Sequence, residues 1–227
     1  MSDVELIVCD NAEVASRVVA EHLVTSARRG GHIALSGGST PRPAYELAAE
    51  LESDWGLVDL WLGDERLVPP ADERSNFRLV REALVSRVRV PPRLHPVDTS
   101  LAGADAAAAY AHELEPVVLD LAFQGLGGDG HTASLFPDAD ALQVTDARAV
   151  STPAGLEPWV ERVTMTISFL AQARCVLYLV LGAEKADAAR RAFVEEPETA
   201  TPASLVRSAA GRTIAILDPA AAQDLST

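Results

Sequence analysis

The stretch Gly125-Leu126-Gly127-Gly128-Asp129-Gly130-His131 constrains this chain more than any other, because four of the six residues 125–130 are glycine. An apolar run at 117–123, broken only by Asp120, precedes it and has the composition of a buried strand. A strand that ends in so many glycines has to turn sharply, since glycine reaches positive φ without steric penalty. Beyond the turn, residues 132–136 are expected to form a short helix closed by Pro137. One histidine, His131, is thereby held between the carboxyl end of a strand and the start of a helix. In open α/β sheets that edge is where ligands bind, and helix N-terminal amides there can face negative charge. A tight turn with an incidental histidine is the competing reading, and the rest of the chain has to decide.

Two more strand ends carry polar turns. Residues 4–8 are expected as a first strand, and a helix over 11–29, with Val14, Val18, Val19 and Leu23 at helical spacing, stops at Gly30-Gly31. A strand at 32–35 then runs into Ser36-Gly37-Gly38-Ser39-Thr40-Pro41 and a helix over about 42–51. Glycine backbone amides, three hydroxyls and a helix N-terminus make a phosphate cradle. An ordinary proline-led helix start would look the same. The loop is neither a Walker motif nor the dinucleotide fingerprint. A strand at 57–62 leads to Gly63-Asp64-Glu65-Arg66, two carboxylates and an arginine at the same sheet edge, for which a solvated charged loop is the alternative. Ser75-Asn76-Phe77-Arg78 opens a helix running to about 88 and stopped by Pro91-Pro92.

The remainder continues the alternation. A helix is expected at 102–114, a loop at 138–146, strands at 149–150, 160–167 and 175–181, a helix from Gly182-Ala183-Glu184-Lys185 to about 194, a short helix at 202–207 and a last strand at 213–217. His22 is assigned to solvent, His32 to a strand start and His95 to a structural loop. Strands alternating with helices predict one α/β domain over 1–227 with a mostly parallel sheet.

Charge and composition exclude several functions. The net charge of −14 repels nucleic acid and anionic membrane, which need a basic footprint. Any anionic ligand must instead meet a local basic pocket; arginine supplies nearly all the positive charge, and Lys185 is the single lysine. No apolar run approaches the roughly 20 residues that span a bilayer, and the first residues lack the pattern of a secretory signal. Two cysteines provide neither a disulfide framework nor metal spacing. A cytoplasmic, monomeric protein without metal or cofactor is the expectation.

Taken together, these motifs resemble the 6-phosphogluconolactonase family, lactone hydrolases of the oxidative pentose phosphate pathway within the glucosamine-6-phosphate isomerase superfamily. The resemblance rests on Leu35-Ser36-Gly37-Gly38-Ser39-Thr40-Pro41, Gly63-Asp64-Glu65-Arg66 with Ser75-Asn76-Phe77-Arg78, Asp129-Gly130-His131-Thr132-Ala133-Ser134-Leu135-Phe136-Pro137, Gly182-Ala183-Glu184-Lys185-Ala186 and Pro202-Ala203-Ser204-Leu205-Val206-Arg207, in that order. Gly128, where the family often has proline, and Gln124, which interrupts an apolar strand end, depart from it.

The resemblance implies a Rossmann-like three-layer α/β/α sandwich and a small-molecule substrate, a sugar-phosphate lactone. It makes His131 the general base, a role suited to imidazole with its unperturbed pKa of about 6.5. Asp129 either orients that ring or caps the turn. Ser36, Gly37, Gly38, Ser39, Thr40 and Arg42 would hold the phosphate, with Arg66, Lys185 and Arg207 as cationic partners, and Asp64, with Glu65 beside it, is the further catalytic candidate. A glucosamine-6-phosphate deaminase/isomerase is the second reading; it would use the Asp64-Glu65 pair, but it carries an Asn-Glu pair where this chain has residues 134–136 without a carboxylate. A non-catalytic sugar-phosphate sensor is the third, and it lacks the DNA-binding segment such sensors follow.

Overall fold

The computed structural model describes residues 4–155 and 157–225. Its strands are β1 (Val4–Val8), β2 (Gly31–Leu35), β3 (Val58–Leu62), β4 (Asp64–Arg66), β5 (Arg93–His95), β6 (Leu121–Gly125), β7 (Ala149–Thr152), β8 (Arg162–Met165), β9 (Cys175–Val180) and β10 (Arg212–Leu217). Its helices are α1 (Ala12–Arg29), α2 (Arg42–Leu51), α3 (Asn76–Ala83), α4 (Gly103–Leu114), α5 (Ile167–Leu170) and α6 (Ala186–Phe193). Seven strands form one parallel sheet in the order β1-β10-β9-β6-β2-β3-β5. β4, β8 and β7 form a separate antiparallel sheet in the order β4-β8-β7.

Alternation along the parallel strands splits the core into the two faces that a three-layer sandwich needs. Ile33, Leu35, Leu177, Leu179, Ile214 and Ile216 pack with α1 and α2 through Val19, Leu23, Tyr45 and Ala48. Their neighbours Ala34, Val176, Tyr178, Val180, Ala215 and Leu217 pack on the other face with Ala106 and Tyr110 of α4 and Ala188 and Phe193 of α6. Strands covered on both faces read as nearly continuous apolar runs. α1 starts at Asn11, whose side chain accepts from Val14 N, and ends at Gly30, where φ of 76° admits only glycine comfortably.

The chain runs from β2 outward through β3 to β5, then returns to the other side of β2 with β6. The order of strands therefore reverses between β2 and β6, and the loops leaving their carboxyl ends diverge around a crevice. The two loops are those led by Ser36 and by Leu126.

Several expectations need correction. Residues 132–136 are not helical; they form turns, with a bridge between Thr132 and Leu135 and φ of 50° at Ala133. Tertiary bonds override the local helical tendency there. Asp64-Glu65-Arg66, read as a polar turn after the preceding strand, is itself strand β4, and His95 ends edge strand β5 rather than lying in a loop. β6 begins only at Leu121, so Val117 and Val118 lie outside it. Residues 202–205 make a 3-10 turn, and the helix from Asn76 ends at Ala83 before a further 3-10 turn.

Candidate active site

The crevice between β2 and β6 opens into a cavity of about 220 Å³. Its walls bring together Ser36, Gly37, Gly38, Ser39, Thr40, Asp64, Arg66, His131 and Lys185, residues spread over 150 positions of sequence, with Gln124 and Arg162 beside them.

The loop after β2 is built for close approach. Ser36 O accepts the Tyr45 hydroxyl at 2.6 Å, tying the loop to α2. Gly37 lies so close to Asn76 that a Cβ would collide with its Oδ1, and Gly38 takes φ of 92°. The loop ends on the first turn of α2, whose N-terminal partial charge favours an anion in the cavity.

β4 separates its carboxylates by strand alternation. Glu65, 1% exposed, accepts from Arg66 N (2.7 Å), Ser75 Oγ (3.1 Å), Asn76 N (2.8 Å) and Phe77 N (2.7 Å). It therefore clamps the start of α3 and stands away from the cavity. Burial pushes its carboxyl up, and the backbone N–H bonds offset only part of that. Asp64 faces the other way and lines the cavity. Its Oδ2 accepts Ser134 Oγ at 2.6 Å and its Oδ1 accepts Asn76 Nδ2 at 3.1 Å. Asp64 thus joins the turn that carries His131 to the start of α3.

That turn is fixed from every side. Gly127 N donates to His131 O at 2.8 Å and Ala203 N to Gly130 O at 3.0 Å, while Thr132 Oγ1 donates to Gly125 O at 2.8 Å. Ser134 N donates to Thr164 Oγ1 at 3.2 Å. A Cβ on Gly127 would collide with the His131 ring, which explains glycine at that position. His131 Nδ1 lies 2.5 Å from Asp129 Oδ1, which also accepts His131 N at 3.1 Å. Burial raises the Asp129 carboxyl, but these bonds and the imidazole charge outweigh it and hold it at about 2. Asp129 Oδ1 thus contacts both the ring and the backbone of His131.

A family described as glucosamine-6-phosphate isomerases/6-phosphogluconolactonase matches residues 10–215. The chain belongs to this family. Among its relatives, the 6-phosphogluconolactonase of Synechocystis is 38% identical over 212 residues, 88% of this chain and 87% of that protein. The Thermotoga maritima 6-phosphogluconolactonase is 40% identical over 156 residues, 67% of this chain and 70% of that protein. A solved structure of 6-phosphogluconolactonase from Trypanosoma cruzi superposes with a TM-score of 0.89 at 28% identity, covering 100% of this chain and 99% of that one.

Not every residue that the family resemblance nominated reaches the cavity. Arg42 borders an adjoining cavity of about 330 Å³ with Gly38, Ser39 and Arg66, and it pairs with Glu46 and Glu82 at 3.6 Å. Arg207 does not line the cavity: its guanidinium donates to Ala192 O at 3.0 Å, binding the 202–207 segment to α6. Two lining residues were missed. Arg162 falls in the strand expected at 160–167, to which no site role was given, yet it lines the cavity. Gln124, noted only as an irregularity, is buried, with Oε1 accepting Thr132 Oγ1 at 3.1 Å and Nε2 without a hydrogen-bond partner among the described residues.

Proposed function

We infer that this protein hydrolyses 6-phospho-D-glucono-1,5-lactone to 6-phosphogluconate. The observation that carries the reading is a histidine bound to a carboxylate in the wall of a cavity that also holds a hydroxyl-rich glycine loop, an arginine and a lysine. With Asp129 ionised, the 2.5 Å contact requires the proton on His131 Nδ1, which leaves Nε2 free to accept one. In this reading Nε2 takes a proton from water as the water oxygen bonds to C1 of the lactone, and the carbonyl π pair moves onto its oxygen. When that pair returns, the bond from C1 to the ring oxygen breaks. The ring oxygen takes the proton from the imidazolium, and C1 becomes a carboxylic acid that ionises.

Asp129 keeps the ring oriented and stabilises the imidazolium. Ser36, Gly37, Gly38, Ser39 and Thr40 hold the phosphate with Arg66 and Lys185, so binding at the remote end aligns the carbonyl. No cofactor or metal ion enters these steps. A single domain over 1–227, acting as a cytoplasmic monomer, completes the reading; among the described residues no helix is long and apolar enough to cross a membrane.

The test compares kcat/KM for the phosphorylated lactone and for plain gluconolactone. Each lost charge-assisted hydrogen bond is worth about 1.5–3 kcal/mol, so the plain lactone should be worse by at least tenfold. Equal values would remove the phosphate from the reading.

A further inference from the structure

β4 and β8 place two arginines directly opposite each other: in their antiparallel register Arg66 faces Arg162, and Asp64 faces Thr164. Directly opposed like charges destabilise a strand pair. Both of these side chains line the same cavity, where Asp64 is the carboxylate that accompanies them. Arg162 is only 2% exposed, so its charge is held where few solvent molecules reach it. Burial and the neighbouring Arg66 both push its guanidinium down from the usual arginine range, against the pull of Asp64. Such an arrangement is relieved when anionic groups occupy the cavity.

The two arginines differ in what surrounds them. Arg66 also borders the adjoining cavity with Gly38 and Ser39, which puts it at the glycine loop. Arg162 does not border that adjoining cavity; its neighbours lead toward His131 instead. Its guanidinium carbon lies 5.3 Å from the centre of the Phe136 ring, and that ring lies 5.3 Å from the His131 ring. Phe136 is thus a common platform for the cation and the imidazole. One Arg162 nitrogen donates to Pro158 O at 3.2 Å, which fixes the head group further.

We propose that Arg162 binds the carbonyl end of the substrate, stabilising the oxyanion formed at C1 and then holding the carboxylate of the product. The assignment rests on the lactonase reading above and extends it: Arg66 and the loop take the phosphate, Arg162 takes C1. A planar guanidinium suits both the tetrahedral oxyanion and the carboxylate, since it offers two parallel donors.

The experiment pairs kinetics with binding. Glucitol 6-phosphate matches the product in chain length and phosphate but has a hydroxymethyl group in place of the carboxylate. Calorimetry on the wild-type protein should show 6-phosphogluconate binding more tightly than glucitol 6-phosphate, by roughly 10- to 100-fold. Arg162→Gln should erase that preference, weakening 6-phosphogluconate while leaving glucitol 6-phosphate within about threefold, and should lower kcat by roughly 10²- to 10³-fold. Arg162→Lys, which keeps the charge and most of the volume, should retain part of both and serves if the glutamine variant does not fold. Equal wild-type affinities for the two ligands, or parallel weakening of both in the variant, would overturn the proposal, as would an unchanged kcat. A wild-type protein that leaves the lactone intact would instead overturn the lactonase reading, and the binding comparison would still judge Arg162 as a carboxylate site.

Discussion

At the scale of single residues, His131 and Asp129 form a unit whose parts have separable consequences. His131→Ala should cut kcat by about 10²- to 10⁴-fold, the usual contribution of a general base. The side chain is partly exposed and touches Phe136 only through a tilted ring contact, so the melting temperature should move little. Spontaneous lactone hydrolysis has to be subtracted before rates are compared; a folded variant that keeps more than about a tenth of the wild-type kcat would move the base elsewhere. Asp129 has a different signature. Its folded-state pKa of about 2 lies below the ordinary value near 3.9. The contact therefore adds stability above about pH 4, and that stability is lost as pH falls toward 2. The carboxylate is 45% exposed, so solvent screens much of the gain. Urea midpoints measured from pH 6 downward should fall more steeply for the wild type than for Asp129→Asn. Parallel curves would mean that the ring and the carboxylate are not in contact in solution.

At the scale of elements, strand β4 shows why adjacent carboxylates do different work. Alternation turns Asp64 toward the cavity and Glu65 toward the first turn of α3. Glu65→Ala would leave several buried donors without a partner, at about 1–3 kcal/mol each, so a loss of roughly 3 kcal/mol or more is expected in urea unfolding. The folded fraction should keep near wild-type kcat; a stable but inactive variant would put Glu65 in the chemistry instead. Much of this architecture was legible in the chain itself. Apolar runs ending in glycine, helices ending at Gly30 and the Ser36, Gly63 and Gly125 turns all obey local rules, and local rules can be read from sequence. What was hidden depends on contacts between distant residues. The segment 132–136 has helical composition, yet Thr132, Ser134 and Ala133 are held in turns by Gly125, Asp64 and Thr164. Arg162, Thr164 and Thr166 alternate with apolar neighbours as a solvent-facing edge would, but β8 pairs with β4 almost a hundred positions away and is buried on both faces. Arg207 carried the chemistry of a phosphate ligand without its placement, because a motif specifies residue types and leaves their direction to the packing of α6.

At the scale of the whole molecule, β10 lies between β1 and β9, so the first described strand pairs only with the last one. Neither edge of the chain can complete its sheet until nearly all of it is present, and the fold should behave as one cooperative unit. Tryptophan fluorescence reports on buried Trp55 and Trp61 near β3 and on exposed Trp159 ahead of β8, circular dichroism on all elements, and activity on the crevice between β2 and β6. The three urea transitions should coincide; a separate fluorescence midpoint would divide the single domain into two. The surface surrounding this unit is strongly acidic, and its basic groups are almost all guanidinium. Lys185 is the exception, the one lysine in the sequence, and it lies in the wall of the cavity. Amine-directed reagents such as activated esters or pyridoxal-type aldehydes therefore find a single lysine side chain on the protein, located in the wall of that cavity. Fluorophores, crosslinkers or covalent inhibitors can be attached there without engineering, and occupancy of the cavity can be followed by how far a ligand shields that one amine.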